Sequence, residues 1–153
     1  MLFIPLKDIN PTRRRPVVTY ALLALNILAF VYQLWHGDGG RAVISSLGAT
    51  PFEITRATDL VGSYGPYTVH LPGPTPIFLT LLTSMFLHGG FLHIGFNMLY
   101  LWIFGNNIED VLGPVKFIAF YFSGGMIAHA MHIASDPGSL IPTIGASGAI
   151  SAV

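Results

Sequence analysis

The chain has no cysteine and very little charge, and each absence narrows what it can be. Without cysteine there is no disulfide and no thiolate nucleophile, and a zinc ion would have to be held by histidine and carboxylate alone. Only 9% of residues are charged, against roughly a quarter in ordinary soluble domains, and the formal net charge is zero. No Lys/Arg run carries interleaved aromatics, so the electrostatic footprint of a nucleic-acid binder is missing and no nucleic-acid partner is expected. Apolar surface takes the place of charge: 52% of the 153 residues are hydrophobic. A soluble fold of this length cannot hide so much, so a lipid bilayer is the expected solvent.

The apolar residues fall into segments of membrane-crossing length. The first runs from Val17 to about Trp35, with Asn26 as its strongly polar interior residue. A second apolar stretch covers residues 77–104, long enough to cross with tilt or with an unwound entry, with the span itself at about 80–104. A third covers about 115–134, and a fourth begins at Ala146. Each complete segment approaches or exceeds the ~20 residues that a spanning helix needs. Arg13, Arg14 and Arg15 precede the first segment, but it is too long for a signal-peptide core and no small-residue cleavage site follows. It reads as an uncleaved span. The expected fold is therefore an all-α, polytopic membrane protein: an N-terminal segment at 1–16, then a membrane domain over 17–153. Residues 36–79 form a Gly- and Pro-rich loop, in which 42–47 and 60–67 are apolar-aromatic pieces suited to the interface.

Positive charge sets an expected orientation. Lys7 and the three arginines crowd the N-terminal flank of the first span, which puts the N-terminus in the cytoplasm. The 36–79 loop is then external, the 105–114 loop internal and the 136–144 loop external. On this topology Ser147 and the upper part of the second span share the outer side.

Polar side chains within spans are costly and point to function. The second span holds His88, His93 and Asn97. At 100° per residue His93 and Asn97 stack on one face, whereas His88 lies about 140° round from His93. A His and an Asn on one face can aim two donors at one spot, as stabilising a tetrahedral oxyanion requires. Asn26 reads instead as packing between helices, and His129 and His132 as interfacial. No H-E-x-x-H helix is present and no carboxylate lies inside a span, so no metal is expected. Gly145-Ala146-Ser147-Gly148 offers an exposed serine between small residues at the mouth of a helix, where backbone N–H groups lack intrahelical acceptors. Polar groups within spans also suit a channel or transporter, but here they gather on one side rather than crossing the bilayer.

The run Thr83-Ser84-Met85-Phe86-Leu87-His88-Gly89-Gly90-Phe91-Leu92-His93-Ile94-Gly95-Phe96-Asn97-Met98, followed by Leu101, Gly105, Glu109 and Gly113, resembles the second span and following turn of rhomboid intramembrane serine proteases. Gly145-Ala146-Ser147-Gly148 resembles their nucleophile motif at the start of the fourth span. Ile4-Pro5-Leu6-Lys7-Asp8, with Pro16, Thr19, Asn26 and Phe30, is similar to the opening of many bacterial members.

The resemblance implies a rhomboid-like helical bundle, of which three complete spans and the start of a fourth are present out of an expected six. It implies Ser147 as nucleophile, with His93 and Asn97 joining the Ser147 backbone N–H around the oxyanion. It further implies that His88 lines the cavity above them, that Gly145 and Gly148 shape the motif, and that Glu109 braces the inner turn. No cofactor is implied. The expected substrates are membrane-anchored proteins cut in or near their transmembrane segment. The expected setting is the cell membrane, bacterial plasma membrane foremost, with the site opening to the outer face. The family's general base is a histidine on the sixth span, which this chain does not reach, so the 153 residues are expected to be an inactive fragment of a longer enzyme. The alternative expectation is a catalytically silent rhomboid-like protein that binds transmembrane clients. Some members carry a Trp-Arg pair in the first loop; here that loop has Arg41 and Arg56 but no tryptophan.

Overall fold

The computed structural model describes residues 13–64 and 68–153. The Ile4-Pro5-Leu6-Lys7-Asp8 motif and the last part of the 60–67 piece lie outside the described residues. Helix α1 (Val17–Trp35) buries Thr19, Leu22, Asn26, Phe30 and Gln33, a stripe in steps of three and four. Its Leu25, Ile27, Leu28 and Val31 stand exposed. A water-soluble helix shows the reverse, because water rewards the polar face. Helix α7 (Pro114–Ser135) repeats the pattern, burying Tyr121, Gly125 and His129 and exposing Val115, Ile127 and Met131. At 1.5 Å per residue, their 19 and 22 residues cover about 28 and 33 Å, close to the ~30 Å hydrocarbon core. Among the described residues these two helices are long and apolar enough to cross a membrane, and a bent pair reaches the same length and composition when taken as one unit.

That bent pair covers the 80–104 stretch as an unwound entry followed by a helix, not as one straight tilted run. Ile77–Phe86, which includes α4 (Thr80–Thr83), meets Phe91–Leu112 at 79°. The break falls at His88-Gly89-Gly90, where paired glycines offer no side-chain packing and each costs a helix about 1 kcal/mol. Beyond it, α5 (Phe91–Tyr100) runs through a π-helical turn into α6 (Asn106–Leu112). The expected 105–114 loop is thus mostly helix. The helix runs on through Asn106 and Asn107, and the Asn107 side chain donates back to Ile103 O. Only Gly113 breaks it, and Pro114 starts α7 at the position where a missing N–H costs nothing.

α6 caps α1. Pro16 supplies no side-chain cap, so the first-turn N–H groups of α1 need acceptors from elsewhere. Glu109 accepts from Val18 N–H at 2.9 Å, Thr19 N–H at 2.8 Å and Thr19 Oγ1 at 2.8 Å. Asp110 accepts from the backbone N–H of Arg13 and of Arg14. Both carboxylates sit at the positive end of the α1 dipole.

At the opposite end, the 36–79 loop is built rather than formless. It holds α2 (Arg41–Leu47), α3 (Pro51–Arg56) and an antiparallel pair, β1 (Gly62–Tyr64) and β2 (Thr68–His70), with Ser63 opposite Val69. The 42–47 piece is therefore part of a helix. The loop is laced to the connection leading into Ser147. Ala49 and Thr143 exchange backbone hydrogen bonds, Phe52 N–H donates to Ser139 O, and His70 Nε2 donates to Leu140 O. The short helix α8 (Ser147–Ile150) then packs against α7 at close range. A Cβ on Gly148 would fall 2.6 Å from Ala128 Cβ, and one on Gly124 the same 2.6 Å from Ala152 Cβ. Two small-xxx-small pairs thus face each other across the contact. Leu22, Leu101, Phe117, Tyr121 and Ala149 form the core beneath it.

Candidate active site

The site is assembled around the 84–90 break. Ser84 O accepts the Gly145 N–H at 2.8 Å, tying the serine loop to the second span. Ser84 Oγ lies 3.1 Å from Nε2 of His129, a hydrogen bond that joins α7 to the same segment. From α1, the Gln33 carboxamide meets both polar backbone groups of His88: Nε2 donates to His88 O at 3.0 Å, and Oε1 accepts His88 N–H at 2.9 Å.

One residue on, Gly89 N–H donates to Nδ1 of His93 at 3.3 Å. Nδ1 is then the acceptor of the ring, and Nε2 carries the proton. That Nε2 faces Gly145. A Cβ on Gly145 would sit 2.9 Å from both Cε1 and Nε2 of His93 and 3.3 Å from Ser147 Oγ. The His93 donor and the serine oxygen therefore flank one small space, open only because residue 145 is glycine. Its φ of +118° suits glycine on the same count.

Asn97 completes the group one turn below. It and Ser147 line a shared cavity of about 460 Å³, with Phe96, Tyr100, Phe104 and Ile150 as its apolar walls. Asn97 is only 6% exposed, and its Nδ2 has no hydrogen-bond partner among the described residues. Ser147 is exposed and so reachable. A larger hollow of about 700 Å³ between α2, β2 and Ile141 contains no histidine.

The structure thus brings Ser147, His93 and Asn97 together with Gly145, while Gly148 serves the α7 contact. His88 is 1% exposed; it packs edge-on against Phe30 and His93 and is not among the cavity walls. Glu109 lies at the far end of the bundle as the α1 cap. His129 is buried against Ser84, and His132 is exposed. Asn26 is buried; its Nδ2 donates to Leu22 O within its own helix. Two participants escaped sequence reading, Gln33 and Ser84. Each is a polar residue inside an apolar stretch, which is the signal that picked out Asn97.

Comparison with known proteins gives the family of the chain. The model of the Rhomboid domain matches residues 77–153. The mouse presenilin-associated rhomboid-like protein, mitochondrial, is 31% identical over 134 residues, covering 84% of this chain and 36% of the relative. Its human counterpart is 32% identical over 120 residues, covering 76% of this chain and 32% of the relative. Rhomboid protease GluP of Bacillus subtilis is 29% identical over 137 residues, covering 89% of this chain and 23% of the relative. The matched part of the chain spans about a third or less of the length of these curated relatives. No solved structure matches. The chain belongs to the rhomboid family, a family of membrane proteins that includes serine proteases.

Proposed function

We propose that the protein is an intramembrane serine endopeptidase that cuts membrane-anchored proteins in or near their transmembrane segment, after a small residue. Ser147 Oγ attacks the scissile carbonyl. His93 Nε2–H, Asn97 Nδ2–H and the Ser147 backbone N–H receive the negative charge that develops on the carbonyl oxygen. One observation carries this reading: among the described residues Asn97 keeps a buried donor without an acceptor, beside an accessible serine. An unpaired buried donor costs about 1–3 kcal/mol. Such a cost fits a site whose acceptor arrives with the substrate.

His93 acts as a donor rather than as the base, because its Nδ1 is engaged by Gly89 and its Nε2 holds the proton. A serine hydroxyl needs a base, which we assign to the histidine that the family carries on a later span. The arginines beside the start of α1 support a cytoplasmic N-terminus, with Ser147 opening to the outer face of the cell membrane, in a bacterial plasma membrane. The bilayer and single-span proteins are the partners.

A second reading is a rhomboid-like protein that holds transmembrane clients without cutting them. Reconstituting the whole protein with a single-span protein in lipid vesicles separates the two. A cleavage product within or near the span, lost in Ser147→Ala, supports the protease. Stable capture by wild type and Ser147→Ala alike, with no product, supports the binder.

A further inference from the structure

We propose that Gln33 is a positioning residue of this site, acting through the peptide group between His88 and Gly89 to keep His93 in its Nε2–H form. The inference deepens the protease reading and rests on it for its kinetic arm, though not for its structural one.

Gln33 is 1% exposed, near the end of an otherwise apolar helix, and its whole carboxamide is spent on one backbone residue. Chain continuity does not explain that expense. The His88 backbone groups stand free because the helix breaks there, but water or any local turn would satisfy them equally well. The peptide plane explains it better. His88 C=O and Gly89 N–H belong to one rigid, planar unit and point in opposite directions. Gln33 Nε2 holds the oxygen end at 3.0 Å, and the N–H end meets His93 Nδ1 at 3.3 Å. The second bond, from His88 N–H to Gln33 Oε1, fixes the preceding plane as well.

The 3.3 Å contact sits at the long edge of hydrogen bonding, so a small rotation of the peptide breaks it. Paired glycines at 89 and 90 offer no side chains to resist such a rotation. Without the Gly89 donor, nothing among the described residues makes His93 Nδ1 the acceptor. The ring is then free to carry its proton on Nδ1, which leaves a lone pair on Nε2 where the oxyanion needs a donor. Gln33 thus decides, from α1, whether the donor faces Gly145 and Ser147.

The test joins a spectroscopic and a kinetic measurement on the whole protein in lipid bilayers. ¹⁵N-histidine labelling reports protonated and unprotonated ring nitrogens, and the His93 signal is the one lost in His93→Ala. Wild type is expected to show an unprotonated Nδ1 and a protonated Nε2. Gln33→Leu should show a mixture of the two tautomers and a kcat lower by about tenfold with KM unchanged. That loss is smaller than the about 10²–10³-fold of deleting a donor outright.

Gln33→Glu is the conservative rescue. As a neutral acid it donates to His88 O and accepts His88 N–H, whereas the ionised form cannot donate. Its rate and tautomer relative to wild type should therefore match at low pH and fall away as pH rises. A folded Gln33→Leu protein with the wild-type tautomer overturns the proposal, whatever its activity. If that variant does not fold, a Gln33→Glu protein matching wild type at every pH overturns it instead. Tautomer changes as described in a protein that cleaves nothing would uphold the positioning role while refuting the protease reading.

Discussion

Asn97 and Gly145 show at single-residue scale what the protein gives up for its site. Asn97 buries an amide whose Nδ2 has no acceptor among the described residues, and Gly145 leaves empty a space that a methyl group would fill. Removing the Asn97 amide therefore breaks no hydrogen bond from Nδ2 within the described residues. Asn97→Ala is expected to lower kcat by about 10²–10³-fold with KM little changed, and to leave thermal stability in detergent close to wild type. If Asn97 instead glued helices together, the same change would cost ~1–2 kcal/mol of stability and spare turnover by the folded fraction. Gly145→Ala should abolish turnover for two reasons: its φ of +118° strains any Cβ, and that Cβ would strike the His93 ring. Activity assays on the purified variant, checked for retained helix content, read this out. That His93 and Asn97 share one helical face was legible in sequence, because their spacing of four fixes it. Gln33 was not, since its role depends on a contact with His88, 55 positions away.

The elements are held by terminal chemistry and close approach more than by a large apolar core. Glu109 closes three hydrogen bonds at the start of α1, where no side chain of that helix does so. Glu109→Ala should destabilise the protein by about 1–2 kcal/mol, the typical cost of a lost cap, without changing kcat per folded molecule. Unfolding in mixed micelles against turnover checks both halves, and an equally stable variant would mean that water replaces the cap. The lengths of α1 and α7 were readable from hydropathy, because both are continuous and bounded by Pro or charge. Hydropathy was blind to the break at 88–90, since Leu87 and Phe91 keep the average high across it. The helix at 106–112 was hidden by the opposite error: Gly105, Asn106 and Asn107 favour turns locally, yet the chain stays helical through them.

Among the described residues the molecule buries polar side chains such as Thr19, Asn26, Gln33 and His129 beside its apolar core and exposes many apolar ones, with two capped and laced ends. One end carries Arg13, Arg14, Glu109 and Asp110; the other carries the 36–79 loop bound to the connection that leads into Ser147. Reporter fusions after Trp35 and Asp136 should therefore read out on the same side of the membrane, and one after Asn107 on the opposite side. The charge rule assigns the first two to the exterior. An external Asn107 fusion would invert the orientation proposed for the site. The central claim is that Ser147 is an activated nucleophile in a pocket of waiting donors. Exposure of the whole protein in lipid to a serine-directed fluorophosphonate, followed by peptide mass mapping, tests it most directly. The predicted result is one covalent adduct on Ser147, formed far more slowly in Asn97→Ala; a folded protein left unlabelled at Ser147 would contradict it.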